Sequence, residues 1–280
     1  MRHILALGLL LFAIGGQRPQ AAPFFFLQFS DPQFGMFTAD KDFVQETVNF
    51  EMVVATANRL RPAFVVVTGD LVNKPGDPAQ VAEYLRIARR LDPAIPLYNV
   101  AGNHDVENAP TAASIAAYTR DFGPDRYVFR EAGVFGIVLN SSLIHSPDKA
   151  GDLEARQAEW LAEALEQGRA SGAPHRIVFQ HHPWFLKAED EPDGYFNIPL
   201  ARRSGYLQQM RAAGVRYLVS GHYHRNAIAT AGGLQAITTG PVGMPLGEGT
   251  QSGIRVFIVN GEAITHRYYA LGELPNVIRP

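Results

Sequence analysis

Apolar residues in this chain fall into short unbroken runs separated by amphipathic stretches. Phe24 to Ser30 is nearly all apolar, the pattern of a strand covered on both faces. From Asp42 to Leu60, Val44, Val48, Met52 and Ala55 recur at helical spacing, and Pro62 stops the pattern. Phe64 to Thr68 is a second buried strand, Ala79 to Leu91 a helix, and Leu97 to Val100 a strand. This βαβαβ rhythm predicts parallel strands joined by crossover helices.

The middle of the chain reads differently. Tyr127 to Arg130 and Val134 to Asn140 predict a hairpin turning at Ala132-Gly133. Leu153 to Gln167 is helical, with Trp160, Leu161, Ala164 and Leu165 on one face. A strand at Arg176 to Phe179, a helix at Pro199 to Ala213 and a strand at Val215 to Ser220 follow. Asn226 to Thr230, Leu234 to Thr239, Gly253 to Val259 and Ala263 to Tyr269 read as a meander with glycine-rich turns. The periodicity therefore predicts an α/β domain with two sheets, and no internal repeat or linker interrupts it.

Composition narrows the picture. The 280 residues suit one large domain after removal of a leader. Lys+Arg is 25 and Asp+Glu is 27, so net charge does not draw the chain to nucleic acid or an anionic membrane. There is no cysteine, so any metal must be held by nitrogen and oxygen. Met1-Arg2-His3 is a short basic start, Ile4 to Ile14 is uncharged and apolar, and Gly15, Gly16, Pro19 and Pro23 break the run. That reads as a secretory signal peptide over 1–22, with the main domain at 23–280 and a periplasmic or secreted destination. The run is short for a membrane span, and no second apolar run approaches that length.

Chemistry enters where strands stop. Asp31-Pro32-Gln33, Gly69-Asp70, Gly102-Asn103-His104-Asp105, His181-His182-Pro183 and Gly221-His222-Tyr223-His224 each follow an apolar run. A lone Asp at a strand end is ordinarily a cap, and a lone His on an apolar segment is ordinarily core. Five such segments in order are different, because carboxyl ends of strands in open α/β sheets converge on one crevice. Carboxylate, amide and imidazole together suit two divalent ions placed to hydrolyse phosphate esters.

The order and spacing of these segments resemble the calcineurin-like metallophosphoesterase superfamily over about Phe24 to Tyr269. Asp-Pro-Gln and Gly-His-Tyr-His-Arg-Asn resemble a branch of serine/threonine phosphatase type within it. The resemblance implies a four-layer αββα sandwich of two mixed β-sheets flanked by helices. It implies two divalent metal ions, Mn, Fe, Zn or Mg, and a phosphate-ester substrate. Asp70 would bridge the ions, Asp31 and His224 would complete one site, and Asn103, His181 and His222 the other. His222 and His224 are two apart, so the loop must bend to send them to different ions. Gln33 stands where most of the superfamily has histidine. Its amide oxygen either tilts that site toward Mn or Mg or leaves the position to water.

By the same resemblance His104 and Asp105 are a catalytic pair, His104 protonating the leaving oxygen or stabilising charge and Asp105 orienting it; the other reading is that Asp105 merely caps the next turn. The family's ligand lies two residues before the proline, which selects His181. His182 would line the cleft or stand behind the ligands. Trp184 and Phe185 are either an apolar wall for the leaving group or plain packing. Tyr223 and Arg225 flank the last ligand, and Arg225 could grip a phosphate oxygen or simply pair on the surface. Lys187 to Asp193 is a charged loop of the kind that rims clefts. The leading reading is phosphomonoester hydrolysis by an ion-bridging hydroxide. A phosphodiesterase on cyclic nucleotides or glycerophosphodiesters uses the same core, and a non-catalytic metal-binding module is the alternative of another class.

Overall fold

A computed structural model describes residues 22–280. The leader read over 1–22 lies outside the described residues except for its last position. The strands are β1 (Phe24–Phe29), β2 (Val65–Val67), β3 (Leu97–Asn99), β4 (Tyr127–Glu131), β5 (Val134–Val138) and β6 (His175–Phe179). They continue with β7 (Tyr217–Ser220), β8 (Ala227–Ala231), β9 (Leu234–Thr238), β10 (Gly253–Asn260) and β11 (Ala263–Ala270). The helices are α1 (Val44–Leu60), α2 (Pro78–Ala88), α3 (Asn103–Val106), α4 (Ala112–Phe122), α5 (Ser141–His145), α6 (Leu153–Ala170) and α7 (Leu200–Ala212).

Two mixed sheets result. One has the order β11-β10-β1-β2-β3, with β1, β2 and β3 parallel and β10 and β11 added antiparallel. The other has the order β4-β5-β6-β7-β9-β8, parallel from β5 to β9 with an antiparallel strand at each edge. Strand alternation divides the core into three. Phe25, Leu27 and Phe29 of β1 pack with Phe50, Val53, Tyr84 and Ile87 of α1 and α2. Phe26 points the other way, into the space between the sheets, stacked 4.5 Å from both Phe64 and Phe257. On the far side, Phe135, Val178 and Leu218 pack with Leu161, Leu165 and Leu207 of α6 and α7. Helices thus cover both outer faces, the four-layer α/β architecture expected. Fully buried phenylalanines of this kind cost about 3–5 kcal/mol when truncated to alanine.

Three sequence expectations are corrected. On α1, Val44, Val48 and Met52 are exposed, and the buried stripe is Phe50, Val53, Val54, Ala57 and Leu60. Two apolar stripes run down this helix, and the one with the larger side chains turns inward. The last four strands form no meander: β8 and β9 close the second sheet, while β10 and β11 close the first. Helices α3, α4 and α5 form where the pattern predicts none. The hairpin at Ala132-Gly133 does form, with φ of 47° and 91° at its two central residues. That is the paired positive φ a tight two-residue hairpin turn needs.

Candidate metal centre

The loops that leave β1, β2, β3, β6 and β7 meet at one end of the sandwich, so both sheets contribute. Among the described non-glycine residues with positive φ are Asp31 (47°), Gln33 (41°), Asp70 (50°), His222 (66°) and His224 (53°). Each such conformation costs about 1 kcal/mol or more, and its concentration here marks a functional loop cluster. The strain bends the 221–224 loop, so His222 joins Asp70 and His181 while His224 joins Asp31 and Asp70. Close approach also demands glycine. A Cβ on Gly102 would run into the Asp70 backbone, and one on Gly221 into Ser30 Oγ and the Asp31 carboxylate.

Around His181 Nε2 lie Asn103 Oδ1 at 3.0 Å, His222 Nδ1 at 3.1 Å and Asp70 Oδ2 at 3.2 Å. The other ring nitrogens fix what these atoms are. His181 Nδ1 is 2.8 Å from the Thr68 carbonyl and His222 Nε2 is 3.1 Å from the Tyr195 carbonyl. A carbonyl only accepts, so those nitrogens carry the N–H and the facing nitrogens present lone pairs. With both rings neutral, a carboxylate oxygen, an amide oxygen and two ring lone pairs converge with no donor among them, and a proton on His181 Nε2 would serve only one of the others. Only a cation satisfies four such groups at once. Octahedral donors about 2.1 Å from an ion stand about 3.0 Å apart, close to the spacing found here.

The Asp31 side is more open. His224 Nε2 is 3.5 Å from Asp31 Oδ1, and its Nδ1–H donates to the Met244 carbonyl. Asp31 also accepts the His222 backbone N–H. Gln33 is 1% exposed, its Nε2 donates to Asn73 Oδ1 at 3.1 Å, and its Oε1 is buried with no hydrogen-bond partner. An unpartnered buried oxygen is costly, and a cation or its water would relieve that cost. Two groups could each hold an ion, Asp31, Asp70 and His224 on one side and Asp70, His181 and His222 on the other, with Asp70 common to both. These residues fit divalent metal ions by donor type, spacing and orphaned oxygen.

The surrounding charges act differently on the four groups. Burial raises Asp31. Burial also works to raise Asp70, but His181 and His104 outweigh it and hold the carboxyl below its usual range. Burial would lower His181, yet Asp70 and Asp31 push it up to about 9. Burial, reinforced by His181, lowers His222 to about 3, which leaves it neutral as a ligand requires.

His104 donates its backbone N–H to Asp70 Oδ1 at 2.9 Å, and its Nδ1 lies 2.7 Å from the Asn73 carbonyl. Nε2 is the nitrogen left to face a substrate. The expected partnership with Asp105 is not found. Asp105 Oδ1 accepts Leu71 N–H at 2.9 Å and Val72 N–H at 3.1 Å, and Oδ2 accepts Gly102 N–H at 2.8 Å. Asp105 is buried and clamps the loops that carry Asp70 and Asn103. The Asn73 carbonyl orients His104 instead, because the short helix α3 turns Asp105 away from the ring. Burial, followed by the Asp70 charge, pushes Asp105 up to about 8.

His182 is 2% exposed and stands behind His222, with ring centroids 4.3 Å apart, so it does not line an open cleft. Ser141 Oγ accepts the backbone N–H of both His181 and His182, which leaves its own hydrogen for His182 Nδ1 at 3.0 Å. Trp184 and Phe185 are fully buried against the α6–α7 layer, so packing is their role. Arg225 lies over the Tyr223 ring at 4.9 Å and makes no ion pair among the described residues. With His224, Asn226, Thr250 and Tyr268 it lines a cavity of about 380 Å³. The charged 187–193 loop folds on itself, Glu191 accepting the N–H groups of Leu186, Lys187 and Ala188. Tyr195, just beyond it, meets His222. Sequence reasoning missed Ser141 and the carbonyls of Thr68, Asn73, Tyr195 and Met244. A backbone carbonyl carries no residue signature, so no sequence signal could have found those four.

The calcineurin-like phosphoesterase family model matches residues 26–226. The serine/threonine-protein phosphatase CPPED1 of Homo sapiens is 40% identical over 268 residues, covering 90% of this chain and 85% of that protein. A probable cyclic nucleotide phosphodiesterase of Rhodococcus erythropolis is 25% identical over 236 residues, covering 80% and 75%. Among solved structures, a dimetal phosphatase from Danio rerio superposes with a TM-score of 0.59 at 16% identity, covering 88% of this chain and 99% of that one. At that identity the likeness speaks to the fold alone.

Proposed function

The chain belongs to the calcineurin-like phosphoesterase family and is a metal-dependent phosphoesterase, and from this we propose that it hydrolyses phosphate monoesters at a two-ion centre. The substrates are phosphoproteins or small phosphate esters. The observation that carries the proposal is the sharing of Asp70 between two donor groups. Asp31, Asp70, His224 and Gln33 would hold one divalent ion, and Asp70, Asn103, His181 and His222 the other. The mixed nitrogen and oxygen donors suit Mn, Fe, Zn or Mg. Such ions supply a water of lowered pKa and draw charge from the phosphoryl oxygens.

The chain's own groups do the rest. When the P–O bond to the leaving group breaks, its electron pair stays on the leaving oxygen. In its imidazolium form, with Nδ1–H anchored on the Asn73 carbonyl, His104 would pass its Nε2 proton to that oxygen and be left neutral. Arg225, which lines the cavity beside His224, would grip a phosphate oxygen of the substrate. We extend the proposal to export, since the basic start and the short apolar run read as a leader. N-terminal sequencing from the native host should then begin near Ala22 or Pro23.

The test is a panel of phosphate mono- and diesters assayed after reloading with Mn, Mg, Zn or Fe. Turnover of diesters ahead of monoesters would overturn the monoester reading. His104→Ala tests the proton donor. General acid catalysis is typically worth about 10²–10⁴-fold, so the variant should lose far more rate on an alkyl ester than on p-nitrophenyl phosphate. Equal losses on both would remove the proton-donor role.

A further inference from the structure

Between the sheets, just behind the centre, lies a line of polar side chains in an otherwise apolar layer. It begins at Arg255 on β10, which is 2% exposed and has no carboxylate partner among the described residues. A buried guanidinium without a counter-ion is costly and calls for an explanation. Its neighbours are neutral: Thr239 Oγ1 at 2.7 Å, Asn226 Oδ1 at 2.5 Å and His266 Nδ1 at 3.0 Å.

The directions of the hydrogen bonds from Arg255 onward can be assigned, because a guanidinium only donates. Thr239 Oγ1 accepts from Arg255 Nε, so its hydroxyl is free to donate to Gln28 Oε1 at 2.6 Å. That sets the Gln28 amide, whose Nε2 donates to Thr68 Oγ1 at 2.8 Å and to the Ser220 carbonyl at 2.9 Å. Thr68 then donates to Ser30 Oγ at 2.7 Å, the nearer of its two acceptors, the Phe29 carbonyl standing at 3.3 Å, and Ser30 donates to Asp31 Oδ2. The chain thus runs through five hydrogen bonds from a group that can only donate to a carboxylate that can only accept. Reversing one step would leave two donors or two acceptors facing each other.

Its end has a geometric consequence. Ser30 occupies Asp31 Oδ2, while Oδ1 faces His224 Nε2 at 3.5 Å. The geometry points to Arg255, Thr239 and Gln28 as positioning residues that select which oxygen of Asp31 is presented to a metal ion. This rests on the two-ion reading above. Hydrogen bonds in a row polarise one another in a low-dielectric interior, so the buried positive charge reaches Asp31 through them. Removing outer partners of metal ligands typically costs about 10–100-fold in affinity.

The experiment uses the full chain, stripped of metal and titrated with Mn²⁺ by calorimetry. Thr239→Val removes the hydroxyl and keeps the shape, whereas Thr239→Ser keeps the hydroxyl and removes a methyl. Thr239→Val should weaken one of two binding steps about tenfold, with Thr239→Ser near wild type. Arg255→Met should weaken the same step. The double variant should be no weaker than either single one, since both break one chain. Thermal midpoints of the metal-free proteins are recorded alongside. If the threonine matters only for packing, the methyl is what counts and the order of the two Thr239 variants is reversed. That order, multiplied losses in the double variant, or unchanged binding in Thr239→Val would each overturn the proposal. Wild-type stoichiometry separates the two readings. A single Mn²⁺ would refute the two-ion centre, and the Val-against-Ser comparison on that one ion would still judge the chain. Should Arg255→Met fail to fold, the Thr239 pair decides.

Discussion

Around His181, three donor atoms stand within 3.2 Å of Nε2, and backbone carbonyls hold the far sides of both rings. Around Asp31, the facing ring nitrogen is 3.5 Å away, one amide oxygen has no partner, and the carboxylate hangs from a line of side chains. The first half is fixed by the main chain, which no substitution removes. The second has main-chain anchors too, the Met244 carbonyl and the His222 N–H, but its carboxylate depends further on hydroxyls and an amide, each of which can be deleted. The two halves of one centre are therefore expected to differ in tightness and in tolerance to mutation.

Asp70 belongs to both halves, so Asp70→Asn should abolish the difference between them. Both ions should be lost, and turnover should fall about a thousandfold or more, since metal charge stabilisation is worth several kcal/mol. Metal content and turnover measured together check this, and loss confined to one ion would break the shared role of Asp70.

Asp105→Asn addresses the clamp beneath the shared loops. An amide nitrogen there would face at least one backbone N–H that now donates to a carboxylate oxygen. The expected cost is about 1–3 kcal/mol of stability, read by urea denaturation. Because the clamp does not touch His104, rates on alkyl and aryl esters should fall by the same factor. A loss confined to the alkyl ester would restore the orienting role.

Acidity should separate the halves next. His181 is raised to about 9, so below that pH an ion must displace its proton. Affinity on that side should climb about tenfold per pH unit up to about 9 and then level off, with one proton released. His222, lowered to about 3, adds no proton at neutral pH. Calorimetry in buffers of different ionisation enthalpy measures the proton count, and zero release at pH 7 would refute the assignment.

Gln33→Ala should have the smallest effect. It removes one neutral contact from the Asp31 half alone, so a few-fold weakening of a single Mn²⁺ step is expected, at most about tenfold. A loss comparable to that of Asp70→Asn would show that Gln33 is an essential ligand.

The sequence specified the strands through unbroken apolar runs, because residues buried on both faces admit little else. It also named the polar residues at five strand ends, since those residue types have few other reasons to stop a strand. It misjudged the buried face of α1, where two apolar stripes compete and only packing volume chooses. It also misassigned the last four strands, because hairpins pair locally and the pattern does not say which sheet each pair will join. Chain adjacency pairs Asp105 with His104, yet the turn of α3 delivers its oxygens to Leu71, Val72 and Gly102. Which residues could bind a cation was therefore written in the chain. How each is held was decided only by the tertiary structure, because carbonyls and hydroxyls distant in sequence acquire their partners only once the two sheets face each other.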